Sequence, residues 1–183
     1  MEKTLNIFVF ILRILPLKVR YFIYELNTST NIKLQILIRY LVVKSILKKS
    51  GKKLYIGKNV TLKNIEECSF GDNVSIHDLS YIDGYGSIKI GDNVSVAHSC
   101  SIISSSHTWD DPAKPIKYNP ISKGSVTINS DVWIGCGVRI LNNVQIGSHT
   151  IIAAGSVVNK NIDKGWLAAG VPVGLKKKIR EIK

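Results

Sequence analysis

Cysteine, methionine and large aromatic side chains are all scarce in this chain: three Cys, one Met, and Phe, Trp and Tyr together at 8%. Cys68, Cys100 and Cys136 are odd in number and too widely spaced for a zinc knuckle. That excludes a simple disulfide framework and suits a reducing compartment. With so few rings, Ile and Val must build most of the core. Acidic residues are also sparse, 13 against 25 Lys and Arg, for a net charge of +12. The imbalance is local. Residues 1–55 hold 11 basic against 2 acidic residues, a net of +9, and residues 56–183 hold 14 against 11, a net of +3. An anionic partner is therefore expected at the first segment. No nucleic-acid reader motif accompanies the charge, so nucleic acid is not expected to be that partner. A long hydrophobic run is missing too. Leu5–Leu17 is interrupted by Asn6, Arg13 and Pro16 and falls short of the about 20 residues of a membrane span. No small-residue cleavage site follows it. The expected place is the cytoplasm; residues 1–50 are expected either to attach to the inner face of the membrane or another anionic surface, or to pack on the coil or pair between copies.

What is present falls into two periodicities. In Ile32–Leu47, Ile32, Ile36, Leu37, Tyr40, Leu41, Val43 and Leu47 recur at helical spacing, with Lys33, Arg39, Lys44, Lys48 and Lys49 around the stripe and at its end. This pattern predicts an amphipathic basic helix. Leu5–Leu26 is expected to be helical in part, broken at Pro16. From Ile56 the period becomes six. Ile128, Ile134, Ile140, Ile146, Ile152 and Val158 form one unbroken run, and Ile56–Leu62, Phe70–Ile76–Ile82 and Ile90–Val96–Ile102 form earlier ones. The last two are offset by two residues, which predicts a small insertion around Ser87–Lys89. A hexapeptide is one short strand plus a corner, and three of them close a triangular coil. The aliphatic residue points inward, and Gly or Asn relieves the corner backbone. Ser104–Ser125 has three prolines and no hexapeptide phase, so it is read as a loop thrown out from the coil. The expected division is a helical segment at 1–54 and a coil at 55–183, with the loop at 104–125 and a tail at 170–183.

The coil portion resembles the hexapeptide acetyltransferases, in the branch of galactoside, maltose and cell-surface polysaccharide O-acetyltransferases. The resemblance runs from about Ile56 to Lys178. It rests on Asp131-Val-Trp-Ile-Gly135, Ile152-Ala-Ala-Gly-Ser-Val-Val158 and Ala169-Gly-Val-Pro172, in that order. It implies a left-handed parallel β-helix, a homotrimer with acetyl-CoA in clefts between neighbouring coils, and acetyl transfer to a sugar hydroxyl with no metal. Flat aliphatic faces and a projecting loop independently call for partner surfaces.

His107 matches the family's catalytic histidine, and imidazole is suited to take the proton of an attacking hydroxyl. Asp110 and Asp111 either orient that ring or make a turn before Pro112. Trp133 either lines the cleft beside the thioester or only packs. The resemblance assigns Cys136, Ala154, Asn159 and Lys160 to acetyl-CoA. Small residues at Ala153-Ala154-Gly155 would let pantetheine run against backbone amides, and Lys160 and Lys177 would meet the phosphates. The family's usual basic residue is replaced by Gly174, with Lys176 as a substitute. Lys176–Lys178 is otherwise a solvated tail. His77 and Asp83 are assigned to the acceptor sugar or, alternatively, to plain coil corners. His98 and His149 are given no role. An N-acetyltransferase of an amino sugar or antibiotic, a non-catalytic coil scaffold and a metal-dependent hydratase are the competing functions. For the last, the histidine spacing does not reproduce the paired ligands that zinc requires.

Overall fold

The computed structural model describes residues 2–179, with side chains described from Thr4 onward. Three helices lead: α1 (Glu2–Ile14), α2 (Leu17–Glu25) and α3 (Lys33–Ile46). Pro16 separates the first two, as its missing N–H and fixed φ dictate. It then opens α2, where the first N–H groups need no helical partner.

The rest is a triangular parallel β-helix. Its first coil is β1 (Lys49–Ser50), β2 (Tyr55–Ile56) and β3 (Thr61–Lys63). The second is β4 (Ser69–Phe70), β5 (Ser75–Ile76) and β6 (Tyr81–Asp83). The third is β7 (Ile88–Ile90), β8 (Val94–Val96) and β9 (Ser101–Ile103). The chain then leaves the coil as a hairpin, β10 (Ser105–His107) and β11 (Ile121–Lys123). It returns for a fourth coil, β12 (Val126–Ile128), β13 (Val132–Ile134) and β14 (Arg139–Ile140), and a fifth, β15 (Gln145–Ile146), β16 (Thr150–Ile152) and β17 (Val157–Val158). Stacking gives three parallel sheets: a first of β1-β4-β7-β12-β15, a second running from β2 to β16, and a third of β3-β6-β9-β14-β17. Strand β18 (Trp166–Ala169) extends the second sheet in parallel. Strand β19 (Gly174–Lys178) then folds back antiparallel on it.

Registry turns the six-residue period into a core. Ile56, Ile76, Val96, Ile134, Ile152 and Ala168 stack on one another up the second sheet. All are buried, as is the whole Ile128–Val158 run. Asn and Gly divide the corner work. Asn59, Asn73, Asn93 and Asn143 take the left-handed backbone conformation, which a short polar side chain tolerates. Gly71 instead sits where the next coil passes closely: a Cβ there would lie 2.7 Å from the Gly91 carbonyl carbon. The corners are also stitched, Lys52 N–H donating to Asp72 Oδ1 and Asp72 N–H to Asp92 Oδ1, both at 2.7 Å.

The early coils are 20 residues long, Tyr55, Ser75 and Ser95 being in register; Trp133 to Ile151 is 18. The two extra residues lie at the corner between the third and first sheets, at positions 64–67 and 84–87, slightly before the Ser87–Lys89 region expected from the sequence. The hairpin leaves the third coil at this same corner. It is therefore a greatly lengthened version of an insertion that the two preceding coils already carry.

The helices pack on the first coil. Val42, Val43 and Ile46 join its Leu54, Ile56 and Ile65 in one buried cluster. Tyr24 donates to Val60 O at 2.6 Å, and the Tyr21 hydroxyl accepts from Ile65 N–H at 2.9 Å. Burial pushes both phenols well above their ordinary range. One expectation fails here. Arg39, read as part of the basic surface, is fully buried. It donates to Ile56 O (2.8 Å), Asn27 O and Thr30 O (both 2.7 Å) and Asn31 Oδ1 (2.8 Å), locking the α2–α3 turn to the coil. The stripe read as the helix's apolar face is displaced accordingly, leaving Leu37 and Ile32 exposed.

Candidate active site

The extruded hairpin pairs Ser105 with Lys123, Ser106 with Ser122 and His107 with Ile121. His107 thus ends a short, exposed strand on a defined backbone. Beyond it the loop is pinned by Asn119, which is buried. Asn119 Oδ1 accepts from Asp111 N–H at 2.9 Å, and its amide reaches the Asp111, Lys114 and Pro115 carbonyls at 3.3–3.4 Å. The Asp111 carboxylate is committed within the loop, to Lys114 Nζ at 2.8 Å and Ala113 N–H at 3.0 Å. Asp110 instead shares a cavity of about 220 Å³ with His107, Trp109, Ser122 and Asn142. Asn142 comes from the fourth coil at the same corner, so the cavity lies where hairpin and coil meet. Neither Asn119 nor Asn142 carries a recognisable motif; only the proline-rich context marked the segment.

The other expected residues separate into two rows. Residues six apart in this fold fall on successive edges of the prism. His77, Cys136 and Ala154 lie on the edge between the second and third sheets, stacked through His77 N–H to Val96 O, Gly135 N–H to Ile152 O and Gly155 N–H to Cys136 O. Asp83, His107, Asn159 and Lys160 lie on the edge between the third and first sheets. His77 is exposed and meets the Tyr55 ring at a centroid distance of 5.5 Å, an aromatic neighbour that motif reading missed. Asp83 lies at the root of the hairpin. Its carboxylate accepts from Asn64 Nδ2 at 2.8 Å and Tyr85 N–H at 3.2 Å, and its carbonyl accepts from Ser104 N–H and Oγ. Lys177, on β19, is exposed beside Leu167.

The row at Cys136 and Ala154 suits a slender chain. Cys136 is half-buried, Ala154 and Gly155 are exposed, and a Cβ built on Gly155 meets open space. Gly135 is the opposite case: a Cβ would lie 2.6 Å from Ala154 N, so the two coils touch there. Trp133, 54% exposed, stands on the adjoining second sheet. It lines a cavity of about 470 Å³ with Asn93, Ser95, Asp131, His149 and Ile151. His149, given no role from the sequence, has Nδ1 2.6 Å from Asp131 Oδ2. All three cysteines are free. Burial pushes the Cys68 thiol up to about 11 and raises that of Cys100 as well. Among the described residues no three His, Cys, Asp or Glu side chains converge as a metal site.

Residues 125–160 match the bacterial transferase hexapeptide family (six repeats). Galactoside O-acetyltransferase of Escherichia coli is 33% identical over 134 residues, 69% of this chain and 63% of that protein. The dTDP-4-amino-4,6-dideoxy-D-glucose acyltransferase of Escherichia coli is 31% identical over 129 residues, 64% of this chain and 67% of that protein. The chain belongs to the hexapeptide-repeat transferases. The chain spans only part of other curated proteins that it matches, 41% of one and as little as 22% of others. The fold agrees. A maltose O-acetyltransferase structure from Clostridium difficile 630 superposes with a TM-score of 0.80 at 26% identity, covering 90% of this chain and 86% of that one. A hexapeptide-repeat acetyltransferase from Vibrio cholerae, solved with acetyl-CoA, superposes with a TM-score of 0.78 at 23% identity, covering 90% and 88%.

Proposed function

We propose that this hexapeptide-repeat protein transfers acetyl from acetyl-CoA to a hydroxyl of a sugar, within a cell-surface polysaccharide or its precursor, using His107 as general base. The observation that carries the reading is the exposed His107 on a hairpin pinned by Asn119, opening on a small cavity that Asp110 shares. The acetyltransferase names of relatives support the same reading. The imidazole takes the hydroxyl proton as the sugar oxygen attacks the thioester carbonyl. It returns that proton to the coenzyme A sulfur as the carbon–sulfur bond breaks. In this reading Asp110, which lines the same cavity, holds the ring. Trp133, Cys136 and Ala154 receive the thioester arm, Asn159, Lys160 and Lys177 its polar end, and His77 and Asp83 the acceptor.

Most of these groups stand on two edges of the β-helix, which supports a homotrimer: the hairpin edge of one copy faces the Cys136 edge of the next, and each cleft is completed between copies. The work is assigned to the cytoplasm, in keeping with three free thiols. An amino-sugar acceptor is the second reading, favoured by the dTDP-amino-sugar acyltransferase relative. The deciding experiment incubates the protein with acetyl-CoA and a panel of galactosides, maltose and amino sugars, and locates the acetyl group by mass spectrometry. O-acetylated product that falls about 100- to 10,000-fold with His107→Ala, at unchanged acetyl-CoA affinity, is expected. A variant retaining more than about a tenth of the rate overturns the assignment of His107, and exclusively N-acetylated product overturns the hydroxyl acceptor.

A further inference from the structure

Helix α1 is apolar on two sides. Leu5, Val9 and Leu12 recur at helical spacing and turn inward, Val9 buried and Leu12 packed on the core. Ile7, Phe10, Ile11 and Ile14 recur at the same spacing on the other side and stand in the open, Phe10 at 68% and Ile14 at 72% exposure. A helix that is hydrophobic all round is a buried helix, so the outer stripe calls for a cover that the coil does not provide. The neighbouring helices add to it. α1 and α2 both pack on α3, which lies against β2. On the sides that the coil leaves uncovered, Phe22 of α2, Leu26 just after it and Leu34 of α3 are about three-fifths exposed. Exposed Arg13, Lys18 and Lys33 stand among them, with Glu25 as the one exposed acid among the described helix side chains.

We propose that this outer helical face docks on an anionic lipid bilayer, lying in the headgroup region. Charge selects that occupant over a second copy of the chain. Two copies meeting here would oppose Arg13, Lys18 and Lys33 to their equivalents with only Glu25 to offset them, whereas anionic lipid neutralises them while the acyl boundary takes up the Ile and Phe side chains. Length fixes the mode. α1 is 13 residues, about 20 Å at 1.5 Å per residue, and no described helix is long and apolar enough to cross a membrane. It lies on the surface. In the proposed trimer, three such faces at the first-coil ends add their affinities through effective concentration. None of the exposed apolar residues of this face is assigned to acetyl transfer, so its test does not depend on what the enzyme acetylates.

The test is flotation of the full-length protein with vesicles of phosphatidylcholine alone and of phosphatidylcholine mixed with phosphatidylglycerol, at low and high salt. Binding to the mixed vesicles only, weakened by salt, is expected. The triple variant Phe10→Ser, Ile14→Ser, Phe22→Ser should bind at least about a hundredfold more weakly, because three apolar side chains lose their burial. Its circular dichroism, melting temperature and sedimentation should match the parent, since all three side chains are exposed. No flotation with the mixed vesicles at low salt overturns the proposal. So does undiminished binding by a variant that is still folded. A triple variant that sediments as a smaller species assigns the face to a second copy instead, and also overturns it.

Discussion

Replacing Arg39 by Met removes four hydrogen bonds and keeps the apolar stem, so it isolates the polar part of the contact between helices and coil. The bonds are unequal in worth. Ile56 is buried, and its carbonyl will lose a partner that water cannot replace. Asn27 is half-buried and Thr30 and Asn31 are exposed, so water can take over their acceptors. An unsatisfied buried carbonyl costs about 1–3 kcal/mol, and the recoverable bonds about 0.5–1 kcal/mol each. Against this, burial already pushes the Arg39 pKa down, a sign that ordering the charge is expensive, and Met is spared that expense. The net expectation is a loss of roughly 2–4 kcal/mol. For a chain of this length that corresponds to a fall in Tm of about 4–16 °C. Arg39→Lys should recover little, because a single ammonium cannot span three carbonyls and an amide oxygen. The assay is thermal and urea unfolding at one fixed protein concentration, since association would move the midpoint. Hydrogen exchange at Tyr55–Val60 reports whether loosening begins where α3 meets the coil. A Tm within about 1 °C of the parent, or full recovery by Lys, would refute this account of the guanidinium as the clamp.

Three further outcomes follow from particular contacts. Gly135→Ala should lower stability by about 1–3 kcal/mol and weaken acetyl-CoA binding, because the new Cβ would press on the Ala154 backbone nitrogen; isothermal titration beside a melting curve checks both. Asn119→Ala should reduce acetyl transfer about tenfold or more with little change in Tm, since a shift of about 1 Å in a positioned group is costly; an unchanged rate would mean the pin does not govern His107. With an alkylating reagent near pH 8, Cys136 should react first and acetyl-CoA should protect it. Cys68, with its thiol near 11, carries only about one thiolate in a thousand at that pH and should gain reactivity only as pH rises toward 11; mass mapping of the labelled peptides reads the order.

The coil was legible because its core repeats at fixed spacing: each of Ile128, Ile134, Ile140, Ile146, Ile152 and Val158 occupies the same inward position on the next face. The helices were legible as elements, but their buried side was not. α3 carries apolar residues around most of its circumference, and a charged Arg39 at surface-like spacing gives no sign that backbone carbonyls await it. The loop showed itself by breaking the period, whereas the Ser105–His107 strand inside it is polar and has no alternation to detect. Separation of the site residues into two rows was latent in the period. His77 and Asp83 are six residues apart, and six residues carry the chain from one edge of the prism to the next. Assigning both to one substrate therefore implied, from the sequence onward, two edges facing a shared cleft.

A stack of parallel strands has no natural end, and each terminal coil offers a template on which another chain can pair and extend. Here the two ends are closed by different means. The helical layer packs over the first coil through Val42, Val43 and Ile46. At the other end β19 turns back antiparallel on β18 and presents Lys176, Lys177 and Lys178 to solvent. Reversed direction breaks the parallel repeat, and adjacent positive charges repel a like edge. A truncation removing residues 174–183 would bare β18 of the second sheet. The hazard it creates is fibre growth, an outcome that assays of unfolding or of acetyl transfer on fresh protein would not register.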